Sequence, residues 1–230
     1  MKKICIIPAR GGSERIPRKN IKDFLGKPII AYSIKAAIDS MLFDEVMVST
    51  DDEEIAEIAK NFGAKTPFLR SKYNSNNFAS TVDVLIEVLD WYSKSGQKFE
   101  YGCCLYPIAP FATPELLAEN YIRLFKEKCD VVFPVLAYSH PIQRALKLNE
   151  NNKISLFFNQ DQFTRSQDLE TTYHDSGQFY WFEIEKLLLN KSLFSENAMG
   201  VKVSEFQAQD IDSMEDWKMA EMKYKDILTN

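Results

Sequence analysis

The residues best suited to chemistry lie in a glycine-rich, basic segment, residues 8–20, that directly follows an apolar run near the N-terminus. The adjacent Gly11 and Gly12 let backbone N–H groups approach phosphate oxygens closely, and Arg10 and Lys19 can offset negative charge on a transferred phosphoryl group. An exposed basic turn is the alternative interpretation. Because four basic side chains cluster in this one segment after a predicted strand, we favour an anion-binding site.

The sequence of this segment disfavours two common classes of phosphate-binding protein. It contains neither GxxxxGK[ST] nor GxGxxG, so P-loop hydrolases and dinucleotide-dependent oxidoreductases are not expected. Charge is also unevenly distributed, because the formal net charge is −5 although residues 1–27 hold eight basic and only two acidic side chains. A local anion site explains this better than a general nucleic-acid-binding surface, and we predict no nucleic-acid partner.

Two carboxylates near the C-terminus form a second candidate site. Asp210 and Asp212 flank Ile211, so an extended backbone would direct both carboxylates to one face, where they could bind a divalent metal ion such as Mg²⁺. Alternatively, Asp212 or Ser213 caps a helix predicted over residues 214–228. Spacing alone leaves both possibilities open, and it identifies no general base.

A third candidate segment, residues 173–181 (YHDSGQFYW), combines polar and aromatic side chains before a predicted strand. This composition suits recognition of a sugar, with His174 and Ser176 as polar candidates. The alternative is a turn that leads into an aromatic core strand, and His174 could equally be a hydrogen-bonded structural residue. Since His140 is the only other histidine, a histidine metal cluster is not expected.

These segments need a fold that brings them together, and the hydrophobic pattern predicts one. Short β-rich runs alternate with segments of helical periodicity through the first half of the chain, as in a parallel sheet covered by helices. We therefore predict an α/β fold with a doubly wound, mostly parallel sheet that binds ligands at the carboxyl ends of its strands. The predicted strands are 4–8, 45–49, 101–106, 131–136 and 178–183. The predicted helices are 30–41, 53–61, 82–92, 114–124 and 214–228.

Residues 1–230 are predicted to form a single domain, because 45% hydrophobic residues suffice for one sizeable core. The periodicity degrades over about residues 138–172, where the polar stretch 149–153 indicates a turn between two short extended segments. We interpret residues 138–172 as an inserted arm for dimerisation or substrate binding.

The cysteines and the apolar runs indicate the compartment. The four cysteines show no CxxC spacing, which argues against a structural zinc site and is typical of free thiols in a reducing environment. The apolar run at residues 4–7 is shorter than a signal-peptide core, and no run approaches a transmembrane length. We expect a cytoplasmic protein with no membrane partner.

The first segment, IIPARGGSERIPRKNI, resembles the signature of the CMP-sugar synthetases that activate nonulosonic acids, within the wider nucleotidyltransferases. The resemblance extends across almost the whole chain. Its further motifs are Gly26, Lys27 and Pro28; Ser49, Thr50 and Asp51; Ala79, Ser80 and Thr81; and Asp210, Ile211 and Asp212 with Glu215 and Asp216.

The resemblance implies a Rossmann-like nucleotidyltransferase fold and a Mg²⁺-dependent cytidylyltransferase activity. The anomeric hydroxyl of a 2-keto acid sugar would attack the α-phosphate of CTP and displace pyrophosphate, a transfer that depends on positioning and charge neutralisation. The positions that match the family's catalytic residues are Arg10, Lys19, Asp210 and Asp212, and the two aspartates among them are its metal ligands. The positions that match its nucleotide-binding residues are Pro8, Ala9, Arg10, Gly11, Gly12, Asn20 and Ser80.

The predicted sugar-binding positions differ from those of the sialic-acid-activating members of the family. Those members carry Arg, Asn and Gln where this chain has His174, Ser176 and Tyr106. The YHDSGQFYW segment is instead similar to the branch that activates pseudaminic acid. The predicted substrate-binding residues are Tyr106, Gln143, Arg144, Arg165, His174, Ser176 and Gln178.

Three of these residues belong to the predicted arm. The planar guanidinium of Arg165 can bind a sugar carboxylate through two hydrogen bonds. Gln143 and Arg144 match positions where the family's dimer arm reaches a substrate site, although Arg144 could equally form a surface ion pair. The resemblance therefore also implies a homodimer.

We expect an enzyme that activates pseudaminic acid with CTP and so supplies a CMP-sugar for surface glycosylation, including that of flagellin. Within the same class, the alternative is an enzyme for another nonulosonic acid, N-acetylneuraminic or legionaminic acid. From another class, the alternative is a non-catalytic, CTP-binding regulatory relative. The intact set of predicted catalytic residues argues against that last alternative.

Overall fold

The computed structural model describes residues 1–76, 78–159 and 163–229, which form eleven strands and six α-helices. The strands are β1 (Lys3–Pro8), β2 (Asp23–Phe24), β3 (Lys27–Pro28), β4 (Glu45–Ser49), β5 (Tyr101–Leu105), β6 (Val131–Ala137), β7 (Leu146–Leu148), β8 (Ile154–Leu156), β9 (Tyr173–Asp175), β10 (Phe179–Glu183) and β11 (Ala198–Lys202). The helices are α1 (Ile30–Asp39), α2 (Glu53–Asn61), α3 (Thr81–Lys94), α4 (Pro114–Glu127), α5 (Ile184–Asn190) and α6 (Met214–Thr229).

A seven-stranded mixed sheet forms the centre of the fold, with the order β11–β6–β10–β5–β1–β4 and with β9 beside β6. Strand β1 pairs in parallel with β4 and with β5, and β11 pairs in parallel with β6. Strand β10 lies antiparallel between β5 and β6. The predicted α/β class with a doubly wound sheet is confirmed, and the direction of β10 is a feature that the hydrophobic pattern did not reveal.

Helices cover both faces of this sheet, as the alternation of side chains along β1 demonstrates. Cys5 and Ile7 are buried in one hydrophobic cluster, together with residues of α1 and α4. Ile4 and Ile6 are buried in the other cluster, together with residues of α3. Because successive side chains of a strand point to opposite faces, a strand buried on both faces must be continuously apolar, which is the pattern that predicted β1.

The first helix ends earlier than its apolar spacing predicts. Helix α1 ends at Asp39, and Met41 is 90% exposed instead of facing the core. Met41 adopts a left-handed backbone conformation with φ of 52°, which stops the helix, while the hydroxyl of Ser40 donates to the Ala37 carbonyl at 2.7 Å. The assignment of Met41 to the helix was therefore wrong.

Residues 138–159 and 163–172 of the predicted arm contain the antiparallel hairpin β7–β8. Its turn is closed by the Asn149 N–H, which donates to the Lys153 carbonyl at 3.1 Å, as the predicted turn between extended segments requires. The hairpin carries apolar side chains that face outward, since Leu146, Leu148 and Ile154 are each more than half exposed. A dimerisation role for the arm stays a prediction.

Among the helices in the described parts of the chain, none has the length and apolar composition needed to cross a membrane.

The centre of the sheet depends on the absence of a side chain at Gly102. This residue lies opposite Phe182 in the β5–β10 pair, and the Phe182 ring fills the space that a Cβ at position 102 would need. We expect Gly102→Ala to lower the free energy of unfolding by about 1–3 kcal/mol through overpacking, measured by urea denaturation. The control is Gly12→Ala, where a Cβ would meet nothing within 4 Å. Equal stability of the Gly102→Ala protein and the unsubstituted protein would contradict this account.

Candidate active site

A cavity of about 530 Å³ opens beyond the carboxyl ends of β1 and β5, within the size range of small-molecule sites. This is the end of the sheet where α/β folds bind their ligands, because the loops that leave the strands meet there. Six of the predicted site residues line the cavity: Pro8, Arg10, Lys19, Asn20, Ser80 and Tyr106.

The basic segment is held on the turn between β4 and α2. The Gly11 N–H donates to Asp51 Oδ1 at 3.0 Å, and a Cβ on Gly11 would lie only 2.7 Å from Asp52 Oδ2. The buried Asn20 donates its side-chain amide to the Arg10 carbonyl at 2.9 Å. Gly11 and Asn20 therefore shape the segment, whatever ligand it binds.

Arg18, one of the four cations of the segment, pairs with acidic residues at the start of α2 and does not line the cavity. The guanidinium of Arg18 pairs with Asp52 and Glu54. The hydrogen bond from Arg18 holds the pKa of the Asp52 carboxyl below its usual value. The other three basic side chains of the segment, those of Arg10, Arg15 and Lys19, line the cavity.

Asp212 of the C-terminal acidic pair contacts the basic segment, although neither Asp210 nor Asp212 is itself among the residues that line the cavity. The Lys19 ammonium donates to the Ile211 carbonyl at 2.8 Å and lies 3.5 Å from Asp212 Oδ1. Arg15 Nη1 lies 2.8 Å from Asp212 Oδ2. Ile211 itself is fully buried in one apolar cluster with Ile16, so packing as well as charge joins the two segments.

Ser213, and not Asp212, caps the last helix. The Ser213 hydroxyl oxygen accepts a hydrogen bond from the Asp216 N–H at 3.2 Å. The Asp216 carboxylate in turn accepts from the Ser213 N–H at 2.7 Å and from the Asp212 N–H at 3.1 Å. The carboxylate of Asp212 therefore takes no part in the cap and instead faces Arg15 and Lys19.

The chemistry of the acidic pair suits a metal ion that is shared with a phosphorylated ligand. Burial raises the pKa of Asp210, as does the nearby carboxylate of Asp212, so a cation would stabilise the charged form of Asp210. In residues 1–76, 78–159 and 163–229 no group of three or more His, Cys, Asp or Glu side chains could hold a metal alone. Mg²⁺ commonly binds one or two carboxylates together with substrate phosphates and water, so this pair fits such a site.

The hydroxyl of Ser80 takes part in the cap of α3. It donates to Asp83 Oδ2 at 2.7 Å, and its oxygen accepts from the Asp83 N–H at 3.2 Å. Opposite it, the Tyr106 hydroxyl lies 3.4 Å from Thr81 Oγ1. Burial raises the pKa of Tyr106, so its hydroxyl remains protonated at neutral pH.

Ser176 and Gln178 of the predicted sugar segment lie outside the cavity lining. Both are buried, and the Gln178 amide donates to the Gln207 carbonyl at 3.1 Å. His174 Nδ1 lies 2.8 Å from the Asp175 carbonyl, and its ring packs on Tyr138 with 4.8 Å between ring centroids. The roles of His174, Ser176 and Gln178 in substrate binding stay predictions.

The three predicted arm residues make contacts within the arm. The Gln143 amide donates to the Glu170 carbonyl at 3.2 Å, and Arg144 donates to the Thr164 carbonyl. Arg165 Nε lies 2.6 Å from Asp168 Oδ2 in an exposed ion pair. None of the three lines the cavity, and their contact with a substrate stays a prediction.

Two charged residues were not predicted as site residues: Arg70, which lines the cavity, and Asp175 of the 173–181 segment, which does not. Arg70 is buried in the cavity wall, where its guanidinium donates to the hydroxyl of Ser49 at 3.0 Å and to the Ser49 carbonyl, and burial lowers its pKa. Asp175 accepts hydrogen bonds from the Gly177 N–H at 2.8 Å and from the Tyr180 hydroxyl. Arg70 follows an irregular stretch with no periodicity, so the only available signal was the Ser49 motif that it contacts.

Comparison with known proteins shows the family to which the chain is similar. A family model described as "Cytidylyltransferase" matches residues 4–226. Pseudaminic acid cytidylyltransferase of Campylobacter jejuni serotype O:2 is 42% identical over 225 residues, which cover 98% of this chain and 97% of that protein. CMP-N,N'-diacetyllegionaminic acid synthase of Legionella pneumophila is 30% identical over 228 residues, covering 96% of this chain and 95% of that protein.

A solved structure supports the fold independently. CMP:2-keto-3-deoxy-manno-octonic acid synthetase, in complex with CTP, superposes with a TM-score of 0.72 at 19% identity and covers 98% of this chain and 99% of that chain. The predicted fold class and the predicted resemblance are both confirmed. The chain belongs to the cytidylyltransferase family.

Proposed function

We propose that the protein transfers CMP from CTP to the anomeric 2-hydroxyl of pseudaminic acid and releases pyrophosphate. The similarity to a pseudaminic acid cytidylyltransferase over almost the full length of both chains supports this substrate. The structural observation that carries the proposal is the hydrogen bond from Lys19 to the Ile211 carbonyl, because it joins the acidic pair to the basic segment that lines the cavity.

In the proposed reaction, Arg10 and Lys19 bind the triphosphate. The sugar hydroxyl oxygen forms a bond to the α-phosphorus, and the bond from that phosphorus to the β-phosphate oxygen breaks. Negative charge grows on the phosphate oxygens as pyrophosphate leaves, and the two cations stabilise this charge from fixed positions. The Lys19 side chain is only 15% exposed, and the Ile211 carbonyl fixes its ammonium.

Asp210 and Asp212 are the proposed Mg²⁺ ligands. Bound Mg²⁺ would neutralise charge on the phosphate oxygens of CTP. Ala9 and Asn20 would hold the nucleotide from the basic segment, and Ser80 would do so from the start of α3. The proton of the attacking hydroxyl is released to water, so the products are the CMP-sugar, pyrophosphate and one proton.

For the sugar, we propose Tyr106 as the contact in the cavity and residues 173–178 as the adjacent recognition segment. A protonated Tyr106 hydroxyl can donate or accept a hydrogen bond, whereas the glutamine expected for sialic acid presents an amide. A legionaminic acid substrate is the second candidate, supported by the relative from Legionella pneumophila. The CMP-sugar product would serve as donor for surface glycosylation, including that of flagellin.

We also propose that the protein is a homodimer of the reducing cytoplasm, joined through the arm. The outward-facing apolar side chains of β7 and β8 support a partner at this surface, since monomers rarely expose contiguous apolar patches. All four cysteines are free, in agreement with a reducing compartment. Gln143, Arg144 and Arg165 would then contact the substrate across the dimer.

The reaction and the sugar are tested together by measuring pyrophosphate release from CTP and Mg²⁺. Pseudaminic, legionaminic and N-acetylneuraminic acids are supplied separately, and we expect release with pseudaminic acid alone. Asp210→Asn is expected to weaken the dependence on Mg²⁺, with Asp39→Asn, an exposed carboxylate on α1, as the matched control. Pyrophosphate release with another sugar would support the same reaction but contradict pseudaminic acid as the substrate. CTP binding without pyrophosphate release with any sugar would favour a non-catalytic protein.

The role of Lys19 is tested through the rate. We expect Lys19→Ala to lower kcat by about 100-fold or more and to raise the KM for CTP far less, because the contact strengthens mainly in the transition state. Lys60→Ala, at an exposed position on α2 outside the family motifs, is the control and should leave both constants unchanged. A defect in the KM for CTP alone would reassign Lys19 to binding of the ground state.

The arm is tested through the mass in solution. Sedimentation is expected to give twice the chain mass of 26.6 kDa. The double variant Leu148→Asp, Ile154→Asp should be monomeric with an unchanged circular dichroism spectrum, because both side chains are exposed in the chain. Leu189→Asp, at an exposed position on α5, is the matched control. If the double variant were dimeric, or if the unsubstituted protein were monomeric, the proposed dimerisation through the arm would be wrong.

A further inference from the structure

We propose that Arg15 occupies the Asp212 carboxylate in the nucleotide-free protein and thereby makes metal binding at the acidic pair depend on CTP. This inference rests on the proposed function, because it takes Asp210 and Asp212 as the metal ligands. It adds Arg15 to the residues that act in the reaction.

Both oxygens of the Asp212 carboxylate face a cation in this structure. Arg15 Nη1 lies 2.8 Å from Oδ2, and Lys19 Nζ lies 3.5 Å from Oδ1. A divalent ion must bind a carboxylate oxygen directly, and Mg²⁺ in particular tolerates little distortion of its ligand shell. A metal ion at Asp212 therefore competes with a cation that is already there.

The two cations differ in how firmly they are held. The Lys19 side chain is only 15% exposed, and its ammonium also donates to the Ile211 carbonyl at 2.8 Å. The Arg15 side chain is 68% exposed. Exposed ion pairs contribute little free energy, so Arg15 is the partner that a metal ion can displace.

The charge of the cavity determines when this displacement is favourable. Arg15 lines the same cavity as three further cations, those of Arg10, Lys19 and Arg70, against one described carboxylate, that of Glu14. A metal ion that releases Arg15 into a cavity of three further cations increases their mutual repulsion. The triphosphate of CTP supplies the compensating negative charge and a new partner for Arg15. Metal and nucleotide therefore favour each other's binding, and such coupling is reciprocal by thermodynamic necessity.

The experiment measures Mn²⁺ binding to the nucleotide-free protein from the electron paramagnetic resonance signal of free Mn²⁺, an ion that shares the oxygen ligands of Mg²⁺. We expect Arg15→Gln to bind Mn²⁺ about 5-fold tighter than the unsubstituted protein, since it removes an exposed but competing charge. Arg15→Lys retains the charge and should stay close to the unsubstituted protein. Arg123→Gln removes an exposed, ion-paired arginine of α4 and should change nothing.

A second titration in the presence of CTP without sugar completes the test. There the advantage of Arg15→Gln should disappear or reverse, because Arg15 then binds the triphosphate. Suppose that Asp212→Asn weakens Mn²⁺ binding, but that Arg15→Gln and the unsubstituted protein bind Mn²⁺ equally without nucleotide. The role of Arg15 would then be wrong, while the proposed metal ligands would stand. If Asp212→Asn leaves Mn²⁺ affinity unchanged, the proposed metal ligands are wrong and the inference falls with them.

Discussion

Lys19 donates a hydrogen bond to the Ile211 carbonyl across 192 positions of sequence, and the rest of the site depends on this contact. The basic segment follows the first strand of the sheet, whereas the acidic pair precedes the last helix. Neither segment alone brings the cations and the carboxylates together. The apolar cluster that contains Ile16 and Ile211 holds the two segments in register, so the opposite charges meet at fixed positions.

The fold must also keep several like charges close together without a ligand. Arg18 is paired with Asp52 and Glu54, and Arg70 is buried against Ser49. Two cations of the cavity share the carboxylate of Asp212. The site thus contains its own counter-ions. Electrostatic preorganisation of this kind places charge where a polyphosphate will need it before that ligand arrives.

Much of the fold could be predicted because strands buried on both faces and amphipathic helices leave strong periodic signals. The bounds of β4 and α2 agree with their predictions, and Asp52 caps α2 by accepting from the Ile55 N–H at 3.0 Å. The direction of β10 could not be predicted, since a fully buried strand is apolar whichever way it runs. Helix α1 ends at Asp39 because Met41 adopts a left-handed backbone conformation, which apolar spacing does not indicate.

The candidate site was predictable where chemistry is concentrated in short motifs and unpredictable where it depends on tertiary contacts. Arg10, Lys19, Asp210 and Asp212 belong to such motifs. Arg70 reaches the cavity only because its loop crosses the end of β4, and nothing in its local sequence distinguishes it from a surface arginine. Burial of Ser176 and Gln178 likewise follows from packing that sequence spacing does not encode.

The position of β10 has a consequence for how the chain acquires its shape during synthesis. Strand β5 is flanked by β1 on one side and by β10 on the other, yet β10 leaves the ribosome more than seventy residues after β5. Until then the nascent chain presents an open strand edge with unpaired backbone groups, which invites pairing with other chains. The long delay before this contact forms also slows folding, because distant segments must find each other. Residues 210–212 emerge later still, so the last strand of the sheet is synthesised before the acidic pair.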